Sequence, residues 1–273
     1  METGLSTRKT GDEARPSIAI FQKSIKDAGL IYRNWVEKQS FVHKDFDISG
    51  ALEKIKAIWV PVWLFEVSAE SAWHGSVSHT ESYTEWETKC GPGVYDSRQV
   101  PVTKERTVWT PISGNHYDNY LVPVSASREI NQEEIWGLKY KQLDLRSYDE
   151  SYLDGWQVQA TDLNRMEAKD ICNRRIQNLE ERACKYEVES FGGCSTKVTY
   201  NTSNFVLLPM FVLSYTYKDK SFRNLINGVT GEGYGDLPIN KAKKYLFKAV
   251  QVIVGVIVGL FILFIIFAIM ANH

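Results

Sequence analysis

Hydrophobic positions fall into runs of distinct length and period. The longest is AVQVIVGVIVGLFILFIIFAIM, Ala249 to Met270, in which Gln251 is the only polar side chain. Twenty-two residues at a helical rise of about 1.5 Å each span the hydrocarbon core of a bilayer, about 30 Å. A buried helix of a soluble protein would need a large domain wrapped around it, yet only Ala271, Asn272 and His273 follow. The chain opens on METGLSTRKTGDEARPS, which lacks the apolar stretch of a signal peptide. The expectation is therefore a tail-anchored protein with one C-terminal transmembrane helix. Lys241, Lys243, Lys244 and Lys248 crowd the N-terminal flank of that helix and no Lys or Arg lies beyond it. The positive-inside rule then keeps the large N-terminal part on the cytosolic side. The same lysines, with Tyr245 and Phe247 at interfacial depth, suit anionic lipid headgroups. Gly255 and Gly259 form a small-xxx-small pair that permits close helix packing, and with it a homo-oligomer.

Shorter patterns organise the rest. Ile18, Phe21, Ile25, Ala28, Ile31, Tyr32 and Trp35 recur at three- and four-residue steps and predict an amphipathic helix from Ser17 to about Lys38, with Ser17 as its cap. Ala57 to Phe65 is nearly continuously apolar, which predicts a buried strand, bent or at an edge where Pro61 cannot donate a hydrogen bond. From Glu70 to Trp86 polar and apolar residues alternate, with Trp73, Val77 and Tyr83 on one face. After the turn cluster Gly91-Pro92-Gly93, Val100, Val102 and Val108 continue a β-meander. Leu121 to Val124 predicts another short strand, before a mostly helical connector. A second long helix is predicted from about Thr161 to Val188, striped by Leu163, Met166, Ile171, Ile176, Leu179 and Ala183 and stopped by Gly192-Gly193. Phe205 to Leu213 is again a buried apolar run, with Pro209 near its centre, and Asn227-Gly228 signals a hairpin.

The two halves resemble each other: each pairs a long helix with a proline-centred apolar strand that leads into alternating strands. An internal duplication explains this, and so does the packing demand common to any two buried strands. The expected fold is α+β, antiparallel sheets with long amphipathic helices and one C-terminal transmembrane helix. The expected division is a flexible arm at 1–16, a helix-plus-meander unit with its connector at 17–160, a second unit at 161–240, and a basic flank with the anchor at 241–273.

Composition narrows the function classes. With 32 basic against 33 acidic side chains the net charge is near zero, so nothing draws the chain to nucleic acid. Cys90, Cys172, Cys184 and Cys194 contain no C-x-x-C pair, so no zinc ribbon is encoded. Free thiols in a reducing compartment are the expectation, and the sequon at Asn201 would matter only in a lumen. His74 and His79 lie five apart on a predicted strand and face opposite sides. Cys194 follows Gly192-Gly193 and reads as a small buried residue rather than a nucleophile. The clusters Glu81, Glu85, Glu87 and Glu129, Glu133, Glu134 read as solvated faces. Trp73, Tyr83, Trp86, Tyr95 and Trp109 offer an aromatic platform for a partner, or pack against a neighbouring helix. Neither a catalytic constellation nor a metal or cofactor site is expected.

Five segments in one order carry a resemblance: Trp59-Val-Pro-Val-Trp-Leu-Phe, Tyr120-Leu-Val-Pro-Val-Ser-Ala-Ser127, Tyr152-Leu-Asp-Gly-Trp156, Leu207-Leu-Pro-Met-Phe211 and Asn227-Gly-Val-Thr-Gly231 ending in Gly235-Asp-Leu-Pro238. In this order ahead of a C-terminal apolar helix, they resemble the bacterial membrane-anchored zinc-ribbon proteins, commonly labelled as primosomal or replication-factor-Y-like helicases. The resemblance runs from about residue 17 to the end of the apolar helix and departs at the N-terminus, where the four-cysteine ribbon is missing, so a zinc-binding role does not transfer. No Gly-x-x-x-x-Gly-Lys-[Ser/Thr] phosphate loop supports the helicase label. The resemblance implies a non-enzymatic component of envelope-stress systems, beside phage-shock-type membrane-remodelling proteins and SPFH scaffolds. The resulting expectation is an interaction or scaffolding subunit of a membrane complex. The alternatives are a ligand- or peptide-binding sensor and an enzyme with an unrecognised site.

Overall fold

The computed structural model of the protein describes residues 16–90, 97–138, 140, 143–153 and 155–271. Residues 1–15 of the arm expected at 1–16, the turn cluster Gly91-Pro92-Gly93 and Tyr95 lie outside them. Among the described residues eight strands form one sheet: β1 (Ser17–Ala19), β2 (Lys56–Cys90), β3 (Ser97–Ser125), β4 (Leu145–Ser147), β5 (Gln157–Val158), β6 (Ser190–Tyr217), β7 (Lys220–Asn227) and β8 (Gly233–Gly235). The helices are α1 (Ile25–Glu37), α2 (Ile48–Leu52), α3 (Gln132–Gly137), α4 (Arg165–Lys185) and α5 (Lys241–Ala271). Neighbouring strands run β3-β2-β6-β1-β4, with β5 beside β2, β7 beside β6 and β8 beside β7. The sheet is mixed, not antiparallel throughout as expected, because β1 pairs β6 and β5 pairs β2 in parallel.

The long strands supply residues to two compact units. The first falls within Met1–Val62, Ser125–Asp162 and Phe205–His273, and the second within Trp63–Val124 and Leu163–Asn204.

In the first unit the predicted helix at Ser17 is replaced by a strand. Ser17 to Ala19 finds backbone partners in β4 on one side and β6 on the other, which stabilises an extended conformation that local periodicity does not foresee. The helix begins instead after Ser24, whose side chain accepts from the Asp27 N–H while the Asp27 carboxylate accepts from the Ser24 N–H, a capping box that satisfies two otherwise orphaned donors. α1 buries Ala28, Tyr32 and Val36 against Ala51 of α2, Phe211, Leu213 and Tyr215 of β6, and Ile226 of β7. Thus the helix of the first half packs mainly on the apolar strand of the second, and of its own apolar run Ala57 packs against that cluster. A smaller cluster gathers Ile18, Trp59 and Leu207, with Phe21, Tyr152 and Trp156 packed on it. The Phe21 ring stands 5.1 Å from Trp59 and from Phe211 and 5.0 Å from Trp156.

Both central prolines sit where a strand changes partner. Beside Pro61, Gln159 N donates to Trp59 O while Ala126 N donates to Pro61 O, at the point where β3 has ended and β5 pairs Ile58 and Trp59. Beside Pro209, β6 leaves β1 after Leu207 and takes up β7 from Met210, and Gly228 N donates to Pro209 O. A residue without an N–H is tolerated there because only its carbonyl is needed. Gly228 is confined to glycine by the Phe21 ring and the Pro209 carbonyl, which a Cβ would strike. The expected hairpin at Asn227-Gly228 is present, closed by a longer turn in which Asn227 Oδ1 accepts from Val229 N and Thr230 N.

In the second unit β2, β3 and β6 supply the strands and α4 the helix. Its cap is Asn164, which forms a capping box with Glu167, and it ends at Lys185. Gly192 and Gly193, expected to stop it, lie inside β6. The residues it buries, Ala168, Cys172, Ile176, Glu180 and Cys184, recur every four positions. They share only Ile176 with the predicted stripe, and Met166 is exposed. The large apolar side chains were misleading because this face is built from small and polar groups. Neither α1 nor α4 reaches the length expected, and the short strands around α3 stand where a mostly helical connector was predicted.

Candidate functional site

α5 starts behind Asn240, whose side-chain oxygen accepts from the Lys243 N–H at 3.0 Å. Lys241, Lys243, Lys244 and Lys248 lie on its exposed first turns. From Lys241 to Ile262 it is long and apolar enough to cross a membrane, and none of its apolar window is buried against the rest of the chain. Gly255 and Gly259 stand open, with nothing within 4 Å of where a side chain would begin. The base of this helix is stapled to the loop after α1. Val42 pairs with Ile239, Asn240 N donates to Phe41 O at 2.8 Å, His43 N donates to Pro238 O at 3.0 Å, and the Phe41 and Phe247 rings lie 5.4 Å apart.

The first unit also holds a cavity of about 500 Å³ beside α1 and the β7–β8 hairpin, lined by Tyr32 and Trp35 of α1, Lys38 just after it, Asn224 and Ile226 of β7, and Glu232 and Tyr234. Beneath it Tyr32 OH donates to Tyr215 OH at 3.0 Å, and the Asn224 amide reaches the same hydroxyl at 3.5 Å. Asn224 Oδ1 is buried without a partner among the described residues. Burial raises the Tyr32 phenol far above its ordinary value, and the Tyr215 bond adds to that, so both hydroxyls stay neutral. An apolar body carrying one hydrogen-bond donor suits such a lining.

The second unit gathers polar groups on one carboxylate. Glu180 of α4 is fully buried. Ser71 Oγ and Tyr120 OH each donate to it at 2.6 Å, and His116 Nδ1 lies 3.1 Å from Oε2. Burial pushes this carboxyl up, but the bonds from Ser71, Tyr120 and His116 outweigh that and leave it below the ordinary carboxylate range. Three partners on two oxygens make Glu180 a tie between α4, β2 and β3. Sequence reasoning missed it, since a Glu within the helix run LEER carries no sign of burial.

The aromatics expected to form one platform do not share a face. Ser68 bonds Asn119 and Tyr117 bonds Glu70, which joins even positions of β2 to odd positions of β3, while Arg106 bonds Glu81 and joins odd to even. Strand alternation then sets Trp73 and Tyr83 on one face, and Trp86 and Trp109 with Tyr117 on the other. Trp86 is 61% and Trp109 53% exposed, whereas Trp73 is half-buried. Glu81, Glu85 and Glu87 are not merely solvated: Glu81 pairs with Arg106, and Lys104 bridges Glu85 and Glu87 at 2.7 Å each. Glu134 pairs with Arg223, whose guanidinium also donates to Glu129 O. His79 lies 3.1 Å from Glu81 and His43 3.8 Å from Asp45. Cys194 of β6 is half-buried beside Cys184 of α4, and burial pushes the Cys172 and Cys184 thiols up to about 11. Asn201 donates to Ser68 Oγ at 2.9 Å.

In comparisons with known proteins, the chain is 23% identical over 248 residues to the uncharacterized protein YdjG of Bacillus subtilis (strain 168), a match covering 88% of this chain and 68% of that one. No family model and no solved structure matches the chain.

Proposed function

We propose that this chain is anchored in a membrane through α5 and that the rest of it serves on the cytosolic side as an interaction or scaffolding subunit of a membrane-associated complex. The observation that carries the reading is α5 itself, a helix whose apolar window from Lys241 to Ile262 is left uncovered by every described part of the protein. Lys241, Lys243, Lys244 and Lys248 at its N-terminal flank support the cytosolic side. The resemblance to the membrane-anchored zinc-ribbon proteins supports a place in envelope stress or membrane remodelling. Exposed Trp86 and Trp109 on one face of β2 and β3 are suitable partner contacts. A second reading, a ligand-binding sensor, has in its favour the cavity of about 500 Å³ lined by Tyr32, Trp35, Asn224 and Tyr234.

The test is purification of the full-length protein in mild detergent with identification of co-purifying proteins, alongside Trp86→Ala and Trp109→Ala. The scaffold reading expects the same partner set in repeated preparations, depleted in the variants. Recovery of the full-length protein alone, after crosslinking in the intact membrane, contradicts it. Protease added to sealed cytosol-side-out vesicles should digest everything before α5, and protection there reverses the sidedness.

A further inference from the structure

The loop between α1 and α2 is held in a conformation that its local sequence disfavours. Phe41 has φ 69°, in the left-handed region, where a bulky side chain is a genuine outlier. Such a conformation persists only where its surroundings over-determine it, and it points from structure towards function. The surroundings are the staple described above: the Asn240 N–H on the Phe41 carbonyl, the His43 N–H on the Pro238 carbonyl and the Val42–Ile239 bridge. Together they turn the Phe41 ring onto Phe247, with centroids 5.4 Å apart and planes inclined by 56°.

Phe247 fixes the depth of that contact. It precedes Ala249, the first residue of the apolar run, by two positions, about 3 Å along a helix axis. Where α5 crosses a bilayer, Phe247 therefore lies within the headgroup layer, about 5–7 Å deep on each side. A ring packed on Phe247 reaches the same layer. The burial of Phe41 is incomplete, and Lys44 beside it is exposed, as are Lys241, Lys243, Lys244 and Lys248 on the helix. An aromatic ring at the boundary, on a loop and beside a helix that both carry exposed lysines, matches the interfacial layer of an anionic bilayer.

We propose that Phe41 is a second membrane contact, by which the loop after α1 enters the headgroup layer of the bilayer that α5 crosses. The partner is phospholipid of that bilayer, the ring taking the acyl boundary and the exposed lysines of the loop and helix the anionic headgroups. This rests on the anchoring reading of α5, and it adds that the first unit lies against the lipid rather than trailing on a free linker. A ring that merely packs on Phe247 as a staple would have no lipid neighbour.

The experiment is photocrosslinking of full-length protein in vesicles of phosphatidylcholine and phosphatidylglycerol in equal parts. Three variants carry the photoreactive residue: Phe41→p-benzoylphenylalanine, Phe247→p-benzoylphenylalanine and, as an exposed control at the far end of α1, Ile25→p-benzoylphenylalanine. Mass spectrometry reads the lipid adduct. The proposal expects adducts of the same order at positions 41 and 247, and only background at position 25. An adduct at 247 with background at 41 overturns it and leaves the anchor standing. Background at both, with protein recovered in the soluble fraction, removes the anchoring reading as well. In the Phe41→Gly variant, where glycine accepts the positive φ, the chain should fold and unfold as before. Lipid adduct at Lys44→p-benzoylphenylalanine, an exposed position on the same loop, should fall when Phe41→Gly is added. An unchanged yield there also counts against insertion of the ring.

Discussion

Glu180 shows what a single side chain decides in the second unit. Its carboxylate is buried and accepts from Ser71 and Tyr120, with His116 within reach. Its folded pKa lies below the ordinary value, so its contribution to stability is fully present above about pH 4.3, the ordinary glutamate value. That contribution is lost as the pH falls through the depressed folded value. Glu180→Gln keeps the shape and removes the charge, and should lower stability at neutral pH by about 1.5–3 kcal/mol, the worth of hydrogen bonds to a charged group. The difference between variant and parent should shrink on acidification. Urea unfolding at a series of pH values checks both, and a constant difference would contradict the ionised carboxylate. Phe211→Ala, in the first unit, should cost about 3–5 kcal/mol, a large share of a typical 5–15 kcal/mol. Phe211 was legible from its continuous apolar run. Glu180 was not, because a polar residue joins a buried face through partners on β2 and β3 that lie 60 to 109 positions away.

Elements were legible where the local signal needed no partner, and misread where tertiary pairing overrode it. The apolar run of α5 was read directly, and the alternation along β2 placed Trp73 and Tyr83 on one face as expected. Ile18 and Phe21 fitted a helical stripe, yet Ser17 to Ala19 joins a sheet with segments 145–147 and 206–207. Periodicity cannot show that a strand partner nearly 190 residues away will claim a segment. The cap assignment provides a test. Asn164 accepts from Met166 N and Glu167 N at the start of α4, so Asn164→Ala should cost about 1 kcal/mol. Ser17→Ala, at the cap position predicted from sequence, should stay within about 0.5 kcal/mol. Denaturant midpoints of the two variants decide it, and equal losses would put the helix start back at Ser17. The proline strands carry a related lesson. Pro61 and Pro209 both mark a change of strand partner, a demand that gives the two segments their likeness without requiring common descent. Overlay of residues 17–90 on 161–235 in an experimental structure would separate the two explanations.

At the scale of the whole molecule, the chain passes from the first unit into the second and back twice. The contacts that make this so are long-range, and a reading that proceeds along the chain divides it into consecutive halves instead. What that reading does reach is α5, because an apolar helix of this length is specified by its own residues and by the solvent it needs. Anchoring through α5 is the central claim, and it separates cleanly from the identity of partners. The direct measurement is alkaline carbonate extraction of membranes holding either the full-length protein or a chain ending at Asn240. Full-length protein is predicted to stay with the membrane pellet and the shortened chain to be released. Release of the full-length protein, or retention of both chains alike, would contradict the account.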